Sequence, residues 1–191
     1  MNIPIITIGR EFVSGGRVIG EKVAEQLGIP CYDGEIIAKA AHMAGIPEQM
    51  MRDAEEKRKN ILEFIFDLAS GNPDMGHQIY DAQTAVIREL AKDPCIIVGR
   101  CADYILRDQH PFRVFIYAPM EDRIARIRDR YQVESKDYAE LITKIDRNRG
   151  AYYNHYTNQT WGDGRNYDLT INSGMGLKKS IEILLSAVNH Y

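Results

Sequence analysis

Cysteine is scarce. Cys31, Cys95 and Cys101 are the only three in 191 residues, an odd number without the paired spacing of a zinc site. That excludes a disulfide scaffold and predicts free thiols in a cytoplasmic chain. The five histidines, His42, His77, His110, His155 and His190, are scattered, and none belongs to a metal motif. No apolar run approaches the ~20 residues that cross a bilayer, so no membrane role is expected. The opening residues lack a basic segment followed by an apolar stretch, so no signal peptide is expected. Positive charge is not in excess either. With 24 Lys and Arg against 27 Asp and Glu, the net charge is −3, and no global basic field recruits nucleic acid. Internal repeats and low-complexity segments are absent.

What remains is an ordinary globular composition, 45% hydrophobic, long enough for one α/β domain with an inserted lobe. Apolar runs at Ile3–Ile8, Cys95–Val98, Arg113–Tyr117 and Tyr167–Asn172 read as strands, with a short one at Cys31–Asp33. Helical spacing marks Val18–Leu27, with Ile19, Val23 and Leu27 on one side. It also marks Glu35–Ala44, Pro47–Ala69, Tyr80–Ala91, Ala118–Tyr131, Asp137–Arg147 and a C-terminal helix around Ile181, Leu184, Leu185 and Val188. Ser70–Asp74 reads as a loop, and Ala151–Asn166 as an aromatic and polar connection. Alternating strands and helices predict a parallel sheet covered on both faces. Ligands on such sheets bind beyond the carboxyl ends of the strands. Gly9-Arg10, Asp33 and Gly99-Arg100 all fall at such ends.

The densest signal is the segment after the first strand, Gly9-Arg10-Glu11-Phe12-Val13-Ser14-Gly15-Gly16-Arg17. Strand, glycine turn and helix together aim backbone N–H groups and a helix N-terminus at a phosphate. The standard loop reads G-x-x-x-x-G-K-[ST]. Here Gly16 stands at the lysine position and Arg17 at the hydroxyl position. A tight turn in any α/β domain is the plainer reading, and the glycines alone leave both open.

Within the phosphate reading, Arg17 and the Ser14-Gly15-Gly16 amides hold a polyphosphate. Asp33 either serves Mg²⁺ or an acceptor hydroxyl, or caps the helix near Glu35. Arg100 grips an anion with its planar fork or pairs with a carboxylate such as Asp103. Arg123, Arg126 and Arg130 recur at i, i+3 and i+7, and Arg147 and Arg149 close the next helix. Such density suits a mobile lid over phosphates, although nearby acids are the ordinary partners of helical arginines. Phosphoryl transfer needs cations because charge spreads over the transferred oxygens. A phosphate acceptor is already ionised near neutral pH, so no general base is required. Tyr152, Tyr153, Tyr156 and Trp161 either stack on a base or pack the lid against the body.

The chain resembles the cytidylate-kinase-like family of P-loop kinases over nearly its whole length. The resemblance lies in Gly9–Gly20, Tyr32-Asp33, Ile97–Tyr104, Ala151–Thr157 and Asn166–Leu169. It implies a P-loop NTPase-like three-layer α/β fold in one domain. Its five-stranded parallel sheet is flanked by helices, with a helical nucleoside-monophosphate-binding insertion at about 34–92 and a lid at about 126–164. It implies transfer of the γ-phosphoryl group of ATP, with Mg²⁺, to CMP, dCMP or another small phosphorylated acceptor. On that reading Ser14, Gly15, Gly16 and Arg17 hold the donor phosphates, while Asp33 and Arg100 face the acceptor. Arg123, Arg126, Arg147 and Arg149 clamp both. The missing loop lysine and hydroxyl are departures from authentic cytidylate kinases. The competing expectations are a kinase for another small metabolite and a nucleotide-binding module without turnover. The helical insertion serves equally as an acceptor lobe or as a homodimer surface.

Overall fold

The computed structural model describes residues 4–33, 73–130, 135 and 137–191. The helices expected at 35–44 and 47–69 lie outside these residues. The chain divides into two compact units, Met1–Cys31 with Asp93–Tyr191, and Tyr32–Lys92.

The first unit is built on strands β1 (Ile6–Arg10), β3 (Ile96–Val98), β4 (Phe112–Tyr117) and β5 (Leu169–Asn172); the short β2 (Cys31–Tyr32) begins at its boundary. Strand order is β2-β3-β1-β4-β5. β1 pairs in parallel with β3 (Thr7 opposite Ile97) and with β4 (Ile8 opposite Val114), and β4 pairs with β5 (Ile116 opposite Ile171). The apolar runs are continuous because the central strands are buried on both faces. Ile6, Ile8, Ile96, Ile97, Val98, Val114 and Ile116 are all buried.

One face is covered by α1 (Gly16–Leu27) and the C-terminal helix, here α6 (Leu177–Val188). Ile19 and Val23 of α1, and Leu184 and Val188 of α6, join the strand side chains in one core cluster. This is the 3.6-residue stripe expected of a helix lying on a sheet. α1 stops at Gly28, whose left-handed backbone lets its N–H cap the Ala24 carbonyl. The short α3 (Ala102–Ile105) follows β3. On the way to β5 the chain runs through α4 (Met120–Arg130) and α5 (Tyr138–Thr157).

In the second unit the described helix is α2 (Pro73–Leu90), which buries Gln83, Val86 and Ile87. It begins inside the expected loop, seven residues before Tyr80. Pro73 suits the first helical position, where its missing N–H has no intrahelical partner in any case. A second correction concerns α5, which runs ten residues past Arg147, to Thr157. Gly150 lies within it, and a helix tolerates one glycine at about 1 kcal/mol. The ring of Trp161 packs against the helix here, 3.5 Å from where a Gly150 side chain would begin. Asp137 caps the start of α5 by accepting the Glu140 N–H at 2.9 Å. The last strand is shorter than expected and starts at Leu169.

None of the three cysteines forms a disulfide, and burial pushes the Cys95 thiol up to about 11. No helix among the described residues is long and apolar enough to cross a membrane.

Candidate functional site

The connection after β1 leaves towards β2, and the connection after β3 leaves towards β4 on the other side. The carboxyl ends of these two adjacent strands therefore flank the switch point, where open α/β sheets bind ligands. Two unusual pieces of backbone meet there.

The first is the loop from Glu11 to Gly15. Val13 is held at φ +59° and Gly15 at φ +85°. Positive φ at a β-branched residue is a rare, strained state that the surroundings must enforce. Gly15 is the N-cap of α1, no side chain caps that helix, and its first turn carries no acid. The first amides of α1 thus keep the arrangement that favours an anion. Ser14 is fully buried, and its hydroxyl turns back to donate to the Glu11 carbonyl at 3.0 Å. Arg17, by contrast, lies on the outer side of α1. Its side chain is 62% exposed and pairs with Glu21 at 2.8 Å.

The second piece is the turn after β3. Gly99, Arg100 and Cys101 have successive φ of +83°, +59° and +56°. Two non-glycine residues in this state cost roughly 1–2 kcal/mol each. A side chain at Gly99 would overlap the guanidinium of Arg10, which lies across it. Arg10 thus reaches from the end of β1 over the end of β3.

Two arginines of α4, Arg123 and Arg126, are committed to the loop. Arg126 donates to the Ser14 carbonyl at 2.8 Å, the Ser173 hydroxyl at 3.0 Å and the Ser173 carbonyl at 2.8 Å. Arg123 is buried. It pairs closely with Asp146 of α5, lies 3.6 Å from Glu11, and reaches the Phe12 carbonyl at 3.4 Å. Asp146 also accepts the Phe12 N–H at 2.6 Å. Burial pushes the Glu11 carboxyl up, partly offset by the Ala118 N–H and by Arg123. Arg149, one turn after Asp146, donates to the Arg10 carbonyl at 3.2 Å and lies over the Phe12 ring. Arg147 is exposed on α5.

A buried polar contact supports the Arg100 turn. Asp103 lies in the first turn of α3, and Tyr153 of α5 donates to it at 2.7 Å. Burial pushes the Asp103 carboxyl up, and burial together with Asp103 pushes the Tyr153 phenol up. Trp161 stacks edge-on against Phe115 of β4 at 5.5 Å. Tyr153 within α5 and Trp161 after it therefore pack against the body, the plainer of the two sequence readings.

Of the expected site residues, Ser14, Gly15, Gly16, Arg123, Arg126 and Arg149 gather in or around the loop. Arg100 stands on the neighbouring strand end. Arg17 and Arg147 point outward, and Asp33 belongs to the second unit. Sequence reasoning assigned no role to Arg10, Glu11 or Asp146. Arg10 was visible only as a polar strand end, and the spacing of Asp146 one turn before Arg149 was the available clue. No group of three metal-ligating side chains occurs among the described residues.

Comparison with known proteins adds an independent line. Residues 5–175 match the model of the cytidylate kinase-like family. A cytidylate kinase of Haloquadratum walsbyi is 23% identical over 181 residues, covering 95% of this chain and 77% of that protein. An uncharacterized protein from Eubacterium ventriosum has a similar structure, with a TM-score of 0.72 and 27% identity, covering 98% of this chain and 99% of that one. A gluconokinase from Sinorhizobium meliloti superposes with a TM-score of 0.58 at 15% identity, over 99% of this chain and 93% of that one. That last likeness concerns the fold, which is the P-loop NTPase-like α/β fold with its five-stranded parallel sheet.

Proposed function

Because the chain belongs to the cytidylate kinase-like family, a family of small-molecule phosphotransferases, we propose that it transfers the γ-phosphoryl group of ATP to CMP, dCMP or a similar nucleoside monophosphate. The observation that carries this reading is the pairing at the switch point. An uncapped helix N-terminus on a glycine loop stands beside a strained turn that presents Arg100.

The residues fit a triphosphate donor. The Gly15–Val18 amides face an anion without a competing side-chain cap. Arg123 and Arg126 hold the loop in shape from behind, through its carbonyls, and Asp146 fixes the Phe12 amide and Arg123 together. Arg149 beside the loop and Arg100 at the strand end would contact the transferred group and the acceptor phosphate. Mg²⁺ would be held largely by the phosphate oxygens of ATP and by water, the usual habit of this ion, and would neutralise charge on the β- and γ-phosphates. An acceptor phosphate with a second pKa near ~6 is ionised at neutral pH, so the protein has no proton to remove. Family likeness, rather than geometry, supports Asp33 as an acceptor-facing residue, residues of about 34–92 as the acceptor lobe and about 126–164 as the lid. Three cysteines without a disulfide fit a cytoplasmic setting.

The deciding experiment measures ADP release from ATP and Mg²⁺ with CMP, dCMP, UMP, AMP or no acceptor. Rapid ADP formation with CMP or dCMP alone is expected. Turnover with none of them rejects the monophosphate assignment. Tight ATP binding without any acceptor-dependent ADP would instead favour a nucleotide-binding module.

A further inference from the structure

The loop lacks its lysine, and a side chain at that position meets a steric obstacle. A side chain at Gly16, the lysine position, would begin 2.7 Å from Arg10 Cβ and 3.1 Å from Arg10 Cγ. The stem of Arg10 fills the place a loop lysine needs at its root. Its guanidinium then lies across Gly99, where any side chain would overlap it. Two glycines, Gly16 at the start of α1 and Gly99 after β3, thus leave room for one arginine at the switch point between β1 and β3. Arg149 holds the Arg10 carbonyl at 3.2 Å, which ties that stretch of backbone to α5. Arg123, Arg126 and Arg17 also lie near the loop. Arg123 and Arg126 bind carboxylates and carbonyls behind it, and Arg17 pairs with Glu21 on the outer side of α1.

We infer that Arg10 is the phosphate-binding cation of this loop, replacing the lysine from the strand side rather than from the helix side. This rests on the kinase reading for its catalytic consequence, although the binding role does not require turnover. The planar fork of Arg10 contacts the terminal phosphates of the donor, between the α1 amides and Arg100. In the transfer, an acceptor phosphate oxygen forms a bond to the γ-phosphorus. The bond from that phosphorus to the β–γ bridging oxygen breaks, and its electron pair leaves with ADP. Arg10 stays protonated throughout and balances charge on the moving oxygens. The step needs no other co-reactant.

The test compares wild type, Arg10→Ala, Gly16→Lys and the double variant Arg10→Ala/Gly16→Lys. Binding is read by calorimetry with inorganic tripolyphosphate, a probe without a base, and turnover by acceptor-dependent ADP release. Arg10→Ala is expected to weaken tripolyphosphate binding by about tenfold or more and to slow turnover by about 100-fold. Gly16→Lys alone is expected to be impaired, because its side chain meets the Arg10 stem. The double variant, with that stem removed, is expected to recover about tenfold or more over Arg10→Ala in both readouts. A merely structural role would not yield this rescue, and the double variant also reports if Arg10→Ala simply misfolds. Tripolyphosphate binding by Arg10→Ala within about twofold of wild type overturns the assignment. So does failure of the double variant to recover, or a wild type that binds no tripolyphosphate. If wild type binds in an Arg10-dependent way but makes no ADP with any acceptor, the kinase reading falls and the assignment of Arg10 stands.

Discussion

Removing the carboxylate of Asp146 is the sharpest test of how the loop is held. Asp146 pairs with Arg123 and accepts the Phe12 N–H at 2.6 Å, and the two side chains are only 14% and 7% exposed. In Asp146→Ala, Arg123 keeps Glu11 at 3.6 Å and the Phe12 carbonyl at 3.4 Å, both poorer partners. Stranding one member of a fully buried pair costs about 3–5 kcal/mol. Glu11 offsets part of that, leaving about 1.5–2.5 kcal/mol. The unmet Phe12 amide adds about 1 kcal/mol where water reaches it poorly. The expected total is about 2.5–3.5 kcal/mol, or a fall in Tm of roughly 5–14 °C for a chain of this size. Urea unfolding followed by circular dichroism measures it. Asp146→Asn keeps an acceptor for Phe12 and should lose less. The double variant Arg123→Met/Asp146→Leu should lose less than the sum of its two single changes, because no charge is stranded. A loss below about 0.5 kcal/mol in Asp146→Ala, within the range of ordinary surface substitutions, would refute the reasoning.

Gly99→Ala combines a positive φ with overlap on the Arg10 guanidinium. It should cost about 2 kcal/mol or more in thermal or urea unfolding and displace Arg10, lowering tripolyphosphate affinity in parallel. Unchanged affinity would show that Arg10 does not need the Gly99 gap. Asp103 gives a pH prediction. Burial raises its folded pKa above the unfolded value near ~3.9, so the folded state binds the extra proton. Its contribution is therefore greatest at and below that unfolded value and declines as pH rises towards the folded one. Relative to Asp103→Asn, wild type should lose stability as pH rises from about 4, measured by urea titrations across the acid range. The opposite slope would mean that the Tyr153 hydrogen bond outweighs burial.

Much of this protein was legible in its sequence because local physics acts there. Continuous apolar runs marked the buried strands β1, β3 and β4, whose pairing requires no polar face. The stripe of Ile19 and Val23 set which side of α1 enters the core. The glycines after β1 pointed to an anion site at a helix start, and the run of arginines pointed to dense positive charge nearby. Tertiary structure decided which of those arginines do what. A guanidinium on a long, flexible stem can reach solvent, a carboxylate or a carbonyl, and its spacing along a helix does not choose among them. Only the fold turns Arg126 onto the carbonyls of Ser14 and Ser173, buries Arg123 against Asp146, and leaves Arg17 on the outside. The end of α5 was likewise invisible locally, since Gly150 is tolerated there and Trp161 fills the space beside it. Arg10 is the clearest case. Its importance comes from glycines six and eighty-nine residues away, brought beside it by the parallel pairing of β1 with β3 and by the turn into α1.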